Sequence, residues 1–268
     1  YRLALEACDA LLAGDASLPR LESAFQAEIC YLKSKSLFYL DDLEGAVFLI
    51  RRSLKSMGDH PTYSAFEGHV LFEMGDYRAS RRVLERAAHV DPDSPHVAYS
   101  LGLVLERVAF EEGQEGATTR EEEANAIAQM AFTRANALDP LLFPIPLQVS
   151  DEFFTNAVGV ALDNLPASVR EYIADVPLTV EGFPSLEMVK RERVSPQILG
   201  LFMGVPRTEA SRTEQVSDLD RVILFKRNLE KVCRNRDELI DQIQITVRHE
   251  IGHYLGLGEG DLERLGLA

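Results

Sequence analysis

Cysteine is scarce in this sequence. Its 268 residues include three cysteines, Cys8, Cys30 and Cys233, which lie far apart. An odd number of widely separated cysteines argues against the disulfide framework that stabilises small secreted proteins. We therefore expect three buried thiols in a reducing compartment, which predicts a cytoplasmic location.

Long apolar runs and an excess of positive charge are also missing. No stretch approaches the roughly 18 to 20 apolar residues that a membrane-spanning helix needs, so no membrane association is expected. The formal net charge is −15, and the regions before and after Pro140 are both acidic. Because phosphate backbones are bound by basic surfaces, nucleic acid is not an expected partner.

The remaining composition is that of a globular protein, with 46% hydrophobic and 26% charged residues. A chain of this length can form two domains, each with its own core. The stretch from Asp139 to Leu147 contains three helix-breaking prolines. We therefore predict a boundary between a domain of residues 1–140 and a domain of residues 141–268.

The first domain shows internal repetition at a spacing of 34 residues, with Gly68 and Gly102 at equivalent positions. The pattern resembles the tetratricopeptide repeat, in which two helices approach closely at small residues and stacked pairs share a core. This resemblance implies an all-α domain with three repeats between Ala27 and Pro140. It also implies that the repeats bind a protein partner.

Two further expectations concern this repeat region. The acidic segment Glu111 to Glu123 is predicted to be a solvated loop inserted in the third repeat. The first helices of the repeats are expected to line a concave groove that includes Tyr63, His69 and Tyr99. Because its side chains are mixed in character, a fully basic groove for phosphopeptides or acidic tails is not favoured on that face.

The second domain is predicted to be α+β. A helix is expected from Phe153 to Leu165. Short stretches rich in β-branched or aromatic residues predict three strands, at Val176 to Val180, Ile198 to Met203 and Arg221 to Lys226.

The most informative motif lies near the end of the chain, where His249, Glu250 and His253 form the pattern H-E-x-x-H. On a helix, residues four apart lie on the same face, so the two imidazoles can bind one ion. Glu250 can then reach a water on that ion rather than the ion itself. The motif therefore predicts the site of a metal-dependent hydrolase.

The surrounding residues favour a helix at this point. Apolar residues recur at every fourth position from Ile243 to Leu255, which predicts one buried face. Asn235 with Glu238 forms a capping pattern at the start, and Gly256 is suited to end the helix in a left-handed conformation.

A catalytic zinc ion usually has three protein ligands and one open position. A third ligand is therefore expected soon after His253. Glu259 is favoured because it follows the turn at Gly256 and lies between two glycines, while Asp261 and Glu263 remain alternatives.

The segment His249 to Leu267 resembles the signature of the minimal zincins, a bacterial family of small zinc metallopeptidases. Their pattern is H-E-x-x-H-x-x-G-x-x-D/E followed by D-L-x-x-x-G-L, and weaker likeness extends upstream to about residue 150. The resemblance implies zinc as the cofactor, Glu259 as third ligand and a small mixed sheet before the metal helix. The Met-turn of true metzincins is absent, because no methionine follows Met203.

The expected function is therefore hydrolysis of a peptide bond in a peptide or protein substrate, with Glu250 as general base. Tyr254, Arg248 and Arg207 are open candidates for stabilising the oxyanion. In zincins an edge strand beside the metal helix aligns the substrate, which implies this role for one of the last two predicted strands.

Two other functions fit the same sequence. The chain could be a repeat-based adaptor whose zincin-like half is inactive, since a motif does not establish activity. Alternatively, the zinc could be structural, which a fourth protein ligand would indicate.

Overall fold

The computed structural model describes residues 1–13, 23–58, 60–114, 118–204 and 220–265. Contacts divide the chain into two compact units. The first, called the helical unit, comprises Tyr1–Ile145 and Ser185–Pro196, and the second, called the α+β unit, comprises Pro146–Pro184 and Gln197–Ala268. Across the described residues, no helix combines the length and apolarity needed to cross a membrane.

The described part of the helical unit is built from α-helices. They are α1 (Arg2–Ala13), α2 (Ser23–Phe38), α3 (Leu43–Met57), α4 (Pro61–Glu73), α5 (Tyr77–Val90), α6 (Pro95–Gln114), α7 (Thr118–Leu138) and α10 (Leu186–Glu192). Helix α2 packs against α3, α4 against α5, and α6 against α7. The predicted helical N-terminal region is thus confirmed, while its assignment to the tetratricopeptide class stays a prediction.

Two glycines at equivalent sequence positions allow these helix pairs to approach closely. A Cβ atom on Gly68 would lie 2.5 Å from Cγ of Leu84, and one on Gly102 would lie 2.7 Å from Cε1 of Phe132. Both distances are below van der Waals contact, so only glycine fits without movement of the partner side chain. The 34-residue spacing therefore marks positions of close helix packing.

The described residues of the acidic segment 111–123 form helix rather than the predicted loop. Its first residues complete α6, which ends at Gln114, and α7 begins at Thr118. Residues 115–117 lie outside the described part of the chain. The loop prediction was wrong for the rest because glutamate, glutamine, alanine and arginine are good helix formers, so they lengthen both helices.

Tyr63 was expected to line a groove, but it belongs to the core of the helical unit. Its side chain is only 4% exposed, and its hydroxyl donates a hydrogen bond to Glu28. Its ring stacks on Tyr31 with a centroid separation of 4.7 Å. Tyr99 likewise packs against Phe132. Aromatic rings at a helix crossing gain more from burial than from exposure, which explains the error.

Helix α10 comes from the second half of the chain but belongs to the helical unit. The side chain of Ser185 accepts a hydrogen bond from the Met188 amide and caps this helix. Leu186 packs over Gly75, where a Cβ atom would lie 2.9 Å from Cδ1 of the leucine. The domain division after residue 140 stays a prediction, because compactness does not measure independent folding.

The α+β unit contains the remaining described elements. They are α8 (Asp151–Asp163), α9 (Ala167–Tyr172), β1 (Leu178–Glu181), β2 (Gly200–Met203), β3 (Arg221–Phe225), α11 (Lys226–Val232), α12 (Arg236–Tyr254) and α13 (Glu259–Leu265). The strand order is β1-β3-β2. Strand β3 runs parallel to β1 and antiparallel to β2, which confirms a small mixed sheet.

Helix α12 forms the centre of the core of this unit. Leu239, Ile243, Val247 and Ile251 are buried at every fourth position and pack with α8. This spacing places one continuous apolar stripe against the core, as the sequence predicts. Residues on the other faces of α12 are thereby presented on a firmly held scaffold.

Both ends of α12 have the predicted capping residues. The Asn235 side chain accepts a hydrogen bond from the Glu238 amide at 2.9 Å. At the other end Gly256 has φ 86°, and its amide donates to the His253 carbonyl at 2.9 Å. The Leu257 amide donates to the Gly252 carbonyl at 3.0 Å, which completes a Schellman motif and turns the chain toward α13.

Candidate metal centre

His249 and His253 lie one turn apart on α12, and their imidazoles converge. The two Nε2 atoms are 3.0 Å apart. The Nδ1 atom of His253 lies 3.2 Å from the Leu257 carbonyl. A protonated Nδ1 donating to that carbonyl leaves the Nε2 lone pair available for a metal ion. The Schellman turn therefore also orients one of the two histidines.

Glu259 reaches the same point from the first turn of α13. Its Oε1 atom lies 3.3 Å from Nε2 of His253 and 3.9 Å from Nε2 of His249. One ligand atom from each of the three residues can be chosen so that all lie within 4.8 Å of one another. The structure thus brings together all three residues that the sequence suggests as ligands.

Asp261 is engaged elsewhere. One of its carboxylate oxygens accepts a hydrogen bond from the Gly258 amide at 3.2 Å, and the other pairs with Arg264. The Gly258 amide, followed by Arg264, lowers the pKa of the Asp261 carboxyl. The Glu263 side chain lies outside the described residues. The geometry therefore favours Glu259 over Asp261 as the third donor.

The three donors fit a zinc ion in type and in spacing. Zinc binds imidazole nitrogen and carboxylate oxygen at about 2.0 to 2.2 Å, so two ligands of a tetrahedral ion lie about 3.3 Å apart. The separations of 3.0 and 3.3 Å that involve His253 are close to this value. The separation of 3.9 Å between His249 and Glu259 requires a small movement of the exposed glutamate.

Glu250 lies beside the histidines but faces the sheet. It is 6% exposed, and its Oε2 atom accepts a hydrogen bond from the Phe202 amide at 2.8 Å. Burial raises the pKa of the Glu250 carboxyl, while His249 and the Phe202 amide oppose this shift. A desolvated carboxylate with a raised pKa is a stronger base than an exposed one.

Gly200 permits α12 to lie close to strand β2. A Cβ atom at this position would lie 2.8 Å from Cγ2 of Thr246 and 2.9 Å from Cγ of Glu250. Any larger residue would displace the helix or the glutamate. Gly200 and the Phe202 amide together fix where the Glu250 carboxylate lies.

Strand β2 lies at an edge of the described sheet, whereas β3 is its central strand. The Phe225 amide donates to the Leu199 carbonyl at 2.9 Å, and Leu201 pairs with Ile223. In an antiparallel ladder, residues that hydrogen-bond to the neighbouring strand alternate with residues that do not. Leu199 and Leu201 face β3 in this way, so the backbone groups of Gly200 and Phe202 point to the open edge. Of the two strands that the sequence suggests for substrate alignment, only β2 has an edge beside α12.

Two of the three residues expected to stabilise an oxyanion, Tyr254 and Arg248, lie in the described part of the chain. Tyr254 is fully buried and packs against Phe202 with a ring separation of 5.5 Å. With Ile251 it lines an apolar pocket of about 320 Å³. Arg248 lies 3.4 Å from the Gln244 side chain, and Arg207 lies outside the described residues.

Sequence reasoning did not assign a role to Gly200, to the Phe202 amide or to the Leu257 carbonyl. A glycine at the start of a predicted strand signals a close backbone approach, so Gly200 could have been found. The two backbone groups carry no sequence signal, because every residue except proline has both an amide and a carbonyl.

Comparison with known proteins agrees with this geometry. No curated protein matches the chain. Residues 173–267 match the family model of zincin-like metallopeptidases, and this range contains the sheet, helix α12 and all three candidate ligands. The chain thus carries a zincin-like metallopeptidase domain at residues 173–267, preceded by a largely helical N-terminal region.

Proposed function

We propose that the protein is a zinc-dependent peptidase whose ligands are His249, His253 and Glu259. The observation that carries this proposal is the convergence of these three side chains beside the buried Glu250. Zinc, when bound, would supply an activated water and polarise the carbonyl of the scissile bond.

Glu250 acts as the general base. Its Oε2 atom is held by the Phe202 amide, which leaves Oε1 to take a proton from the attacking water. The same oxygen then delivers the proton to the leaving amine. Burial supports this role, because it raises the pKa of the Glu250 carboxyl. A general base is most effective when its pKa is close to the pH at which the enzyme operates.

The substrate is a peptide or protein segment that adds to the open edge of β2. Extended peptides bind sheet edges through backbone hydrogen bonds, and Gly200 and Phe202 direct backbone groups to this edge. The Phe202 amide already binds Glu250, so the Phe202 carbonyl and the Gly200 backbone are the groups left for a substrate.

Catalysis is favoured over a structural zinc by the number of ligands. In the described part of the chain, the group around the histidines has three members, which leaves the fourth position of a tetrahedral ion for water. An adaptor with an inactive site is the alternative, and the experiment below separates the two.

The helical unit binds a protein partner. Its stacked helix pairs expose large apolar side chains, such as Phe48, which is 67% exposed. A cytoplasmic location of the protein is part of the same proposal, because its three cysteines are free and buried, as in proteins of a reducing compartment.

The test compares wild-type protein with Glu250→Gln in metal analysis and in digestion of an unbiased peptide library. We expect about one zinc per chain in both proteins, because Glu250 is not a ligand. We expect cleavage to fall by at least about 10²-fold in the variant, as when a positioned acid–base group is removed.

The matched control is Asp241→Asn, which removes an exposed carboxylate from the same helix. It should leave zinc content and cleavage unchanged. Loss of zinc from Glu250→Gln would contradict the separation of base and ligands. A wild-type protein that binds zinc and cleaves no peptide would favour the adaptor.

A further inference from the structure

Within the helical unit of this acidic chain, α3 and α5 carry the largest excess of positive charge among the described helices. Helix α3 carries two arginines and one lysine against one glutamate. Helix α5 carries four arginines against one glutamate. The whole chain has a net charge of −15. A surface of opposite sign to the rest of the molecule attracts a partner with the charge that the molecule otherwise repels.

These helices border a groove that we call the α5 groove. It has a volume of about 750 Å³ and is lined mainly by α5, with Arg51 from α3 and Glu67 from α4. Arg82 and Arg86 lie one turn apart on α5 and both line the groove. The concentrated charge is thus directed into a concave surface.

Not all the cations of this region are available. Nε of Arg51 lies 2.7 Å from Glu67, and Nε of Arg81 lies 2.7 Å from Glu85. Arg82 and Arg86 are exposed, and within the described residues neither has an acidic side chain within ion-pair distance. These two guanidinium groups can therefore each bind a carboxylate of a ligand.

The floor of the α5 groove is apolar. Ala79 and Val83 are buried there, and Val90 at its end is 47% exposed. A ligand that fills the groove therefore meets apolar surface between the cationic groups. Such a surface suits a polypeptide that carries both acidic and apolar side chains.

We propose that the α5 groove binds an acidic polypeptide segment of the protein partner. Nucleic acid fits less well, because a phosphate backbone is bound by a mainly basic surface, whereas Glu67 and Glu85 share this groove with the arginines. Among the described residues that line the groove there is no phenylalanine, tyrosine or tryptophan on which bases could stack. Carboxylates spaced along a peptide can instead meet Arg82 and Arg86 and avoid the two glutamates.

This inference rests on the proposed partner-binding role of the helical unit and names the chemistry of that partner. It does not depend on hydrolysis. It also moves the binding surface from the first helices of the repeats, where the sequence predicts it, to the second helix α5. Tyr63, expected in the earlier groove, is unavailable because it is buried.

The test measures fluorescence anisotropy of a labelled short peptide of glutamate, leucine and serine in the presence of the whole 268-residue chain. Zinc is chelated in one series, so that binding is recorded without hydrolysis. We expect saturable binding that weakens as salt is added, because exposed charges are screened. The same peptide with glutamine in place of glutamate should bind at least about tenfold more weakly.

The key variant is Arg82→Glu/Arg86→Glu, which should raise the Kd of the acidic peptide at least about tenfold. Its matched control is Arg52→Glu/Arg78→Glu, which changes the net charge by the same amount. These two exposed arginines, on α3 and α5, do not line the groove. The control should retain most of the affinity. Circular dichroism melting of both variants checks that these exposed substitutions leave the fold intact.

Three results would overturn the proposal. Equal affinity for the glutamate and glutamine peptides would remove the charge argument, and equal loss in both variants would show general attraction rather than a groove. Single-stranded DNA that binds as tightly as the peptide, with the same sensitivity to Arg82→Glu/Arg86→Glu, would replace the polypeptide by a nucleic acid.

Zinc-dependent cleavage of short peptides is expected to be unchanged in the Arg82→Glu/Arg86→Glu variant, so this proposal and the peptidase proposal fail separately.

Discussion

The helical unit and the α+β unit both depend on glycines where two elements come very close, but the neighbours of those glycines differ. In the helical unit, Gly102 faces the ring of Phe132. In the α+β unit, Gly200 faces Thr246 and Glu250. The first contact only packs a core, whereas the second also positions a proposed catalytic carboxylate. The same steric requirement should therefore control stability in one unit and activity in the other.

The two units also differ in how their buried apolar side chains are grouped. The core of the helical unit is divided among several small clusters between neighbouring helices, while that of the α+β unit is one large cluster around α12. The proposed chemistry of the α+β unit depends on a few atoms at one end of that helix. We expect substitutions at those atoms to change function much more than stability.

The largest effect should separate the two acidic residues of the α12–α13 turn. Glu259→Ala should weaken zinc binding by at least about 10²-fold, since loss of a direct ligand should exceed the loss caused by removing a group that only hydrogen-bonds to a ligand. Asp261→Ala should weaken it less, because Asp261 instead binds Gly258 and Arg264. Competition with a zinc chelator measures both, and the reverse order would make Asp261 the third ligand.

In the helical unit, Gly102→Ala should lower stability without a specific effect on cleavage. The new methyl group would lie 2.7 Å from a buried ring, and overpacking of this kind costs about 1–3 kcal/mol. The higher helix propensity of alanine offsets up to about 1 kcal/mol of this cost. Denaturant unfolding measures the net loss, which should shrink when Phe132→Leu is added. An unchanged unfolding midpoint would show that the helices separate freely at this point.

In the α+β unit, Gly200→Ala should instead reduce cleavage roughly tenfold per zinc-loaded molecule, because a displaced general base is less effective. The same substitution should also lower stability, and adding Thr246→Ser, which removes the methyl group nearest to the new Cβ, should recover part of that loss. Cleavage should stay low in the double variant, since Cγ of Glu250 still lies 2.9 Å from the new atom. Recovery of both properties together would contradict a special role for Gly200 in placing Glu250.

The smallest effect concerns Glu230, a second buried carboxylate in the α+β unit. It accepts a hydrogen bond from the Val149 amide at 2.9 Å, and burial raises its pKa despite the nearby Lys226 and Arg227. Because the folded state favours the protonated form, its stabilising contribution is full below the ordinary glutamate pKa of about 4.3. That contribution is lost as pH rises through the raised pKa of the folded state.

Relative to Glu230→Gln, the wild-type protein should therefore lose stability as pH rises above about 4.3, with a slope below about 1.4 kcal/mol per pH unit. Urea unfolding across this pH range measures the difference. Glu152→Gln, which changes an exposed carboxylate of α8, is the control. A difference between wild type and Glu230→Gln that does not change with pH would show that Glu230 keeps its charge at no cost.

Local sequence was sufficient to predict helix α12. The capping pattern at Asn235, the apolar repeat from Ile243 and the glycine turn at Gly256 each involve residues at most five positions apart. Such short-range rules also gave the convergence of His249 and His253. Residues so close in the chain have few alternative arrangements once a helix forms.

Local sequence was misleading where several structures satisfy the same composition. The acidic run of residues 111–123 suits a solvated loop and a helix equally, and helix propensity decided the outcome for residues 111–114 and 118–123. Tyr63 suits a binding groove and a helix crossing equally, and packing against Tyr31 decided it.

By itself, the sequence determined the donor types, their helical spacing and the 34-residue pattern of small residues. The tertiary structure alone decided that the Phe202 amide, 48 residues from Glu250, holds its carboxylate, and that Arg82 and Arg86 line a groove. The physical reason is the range of the interactions involved. Hydrogen bonds and periodicity within a few residues are encoded locally. Contacts between distant segments form only when the core packs and brings particular faces of helices and strands together.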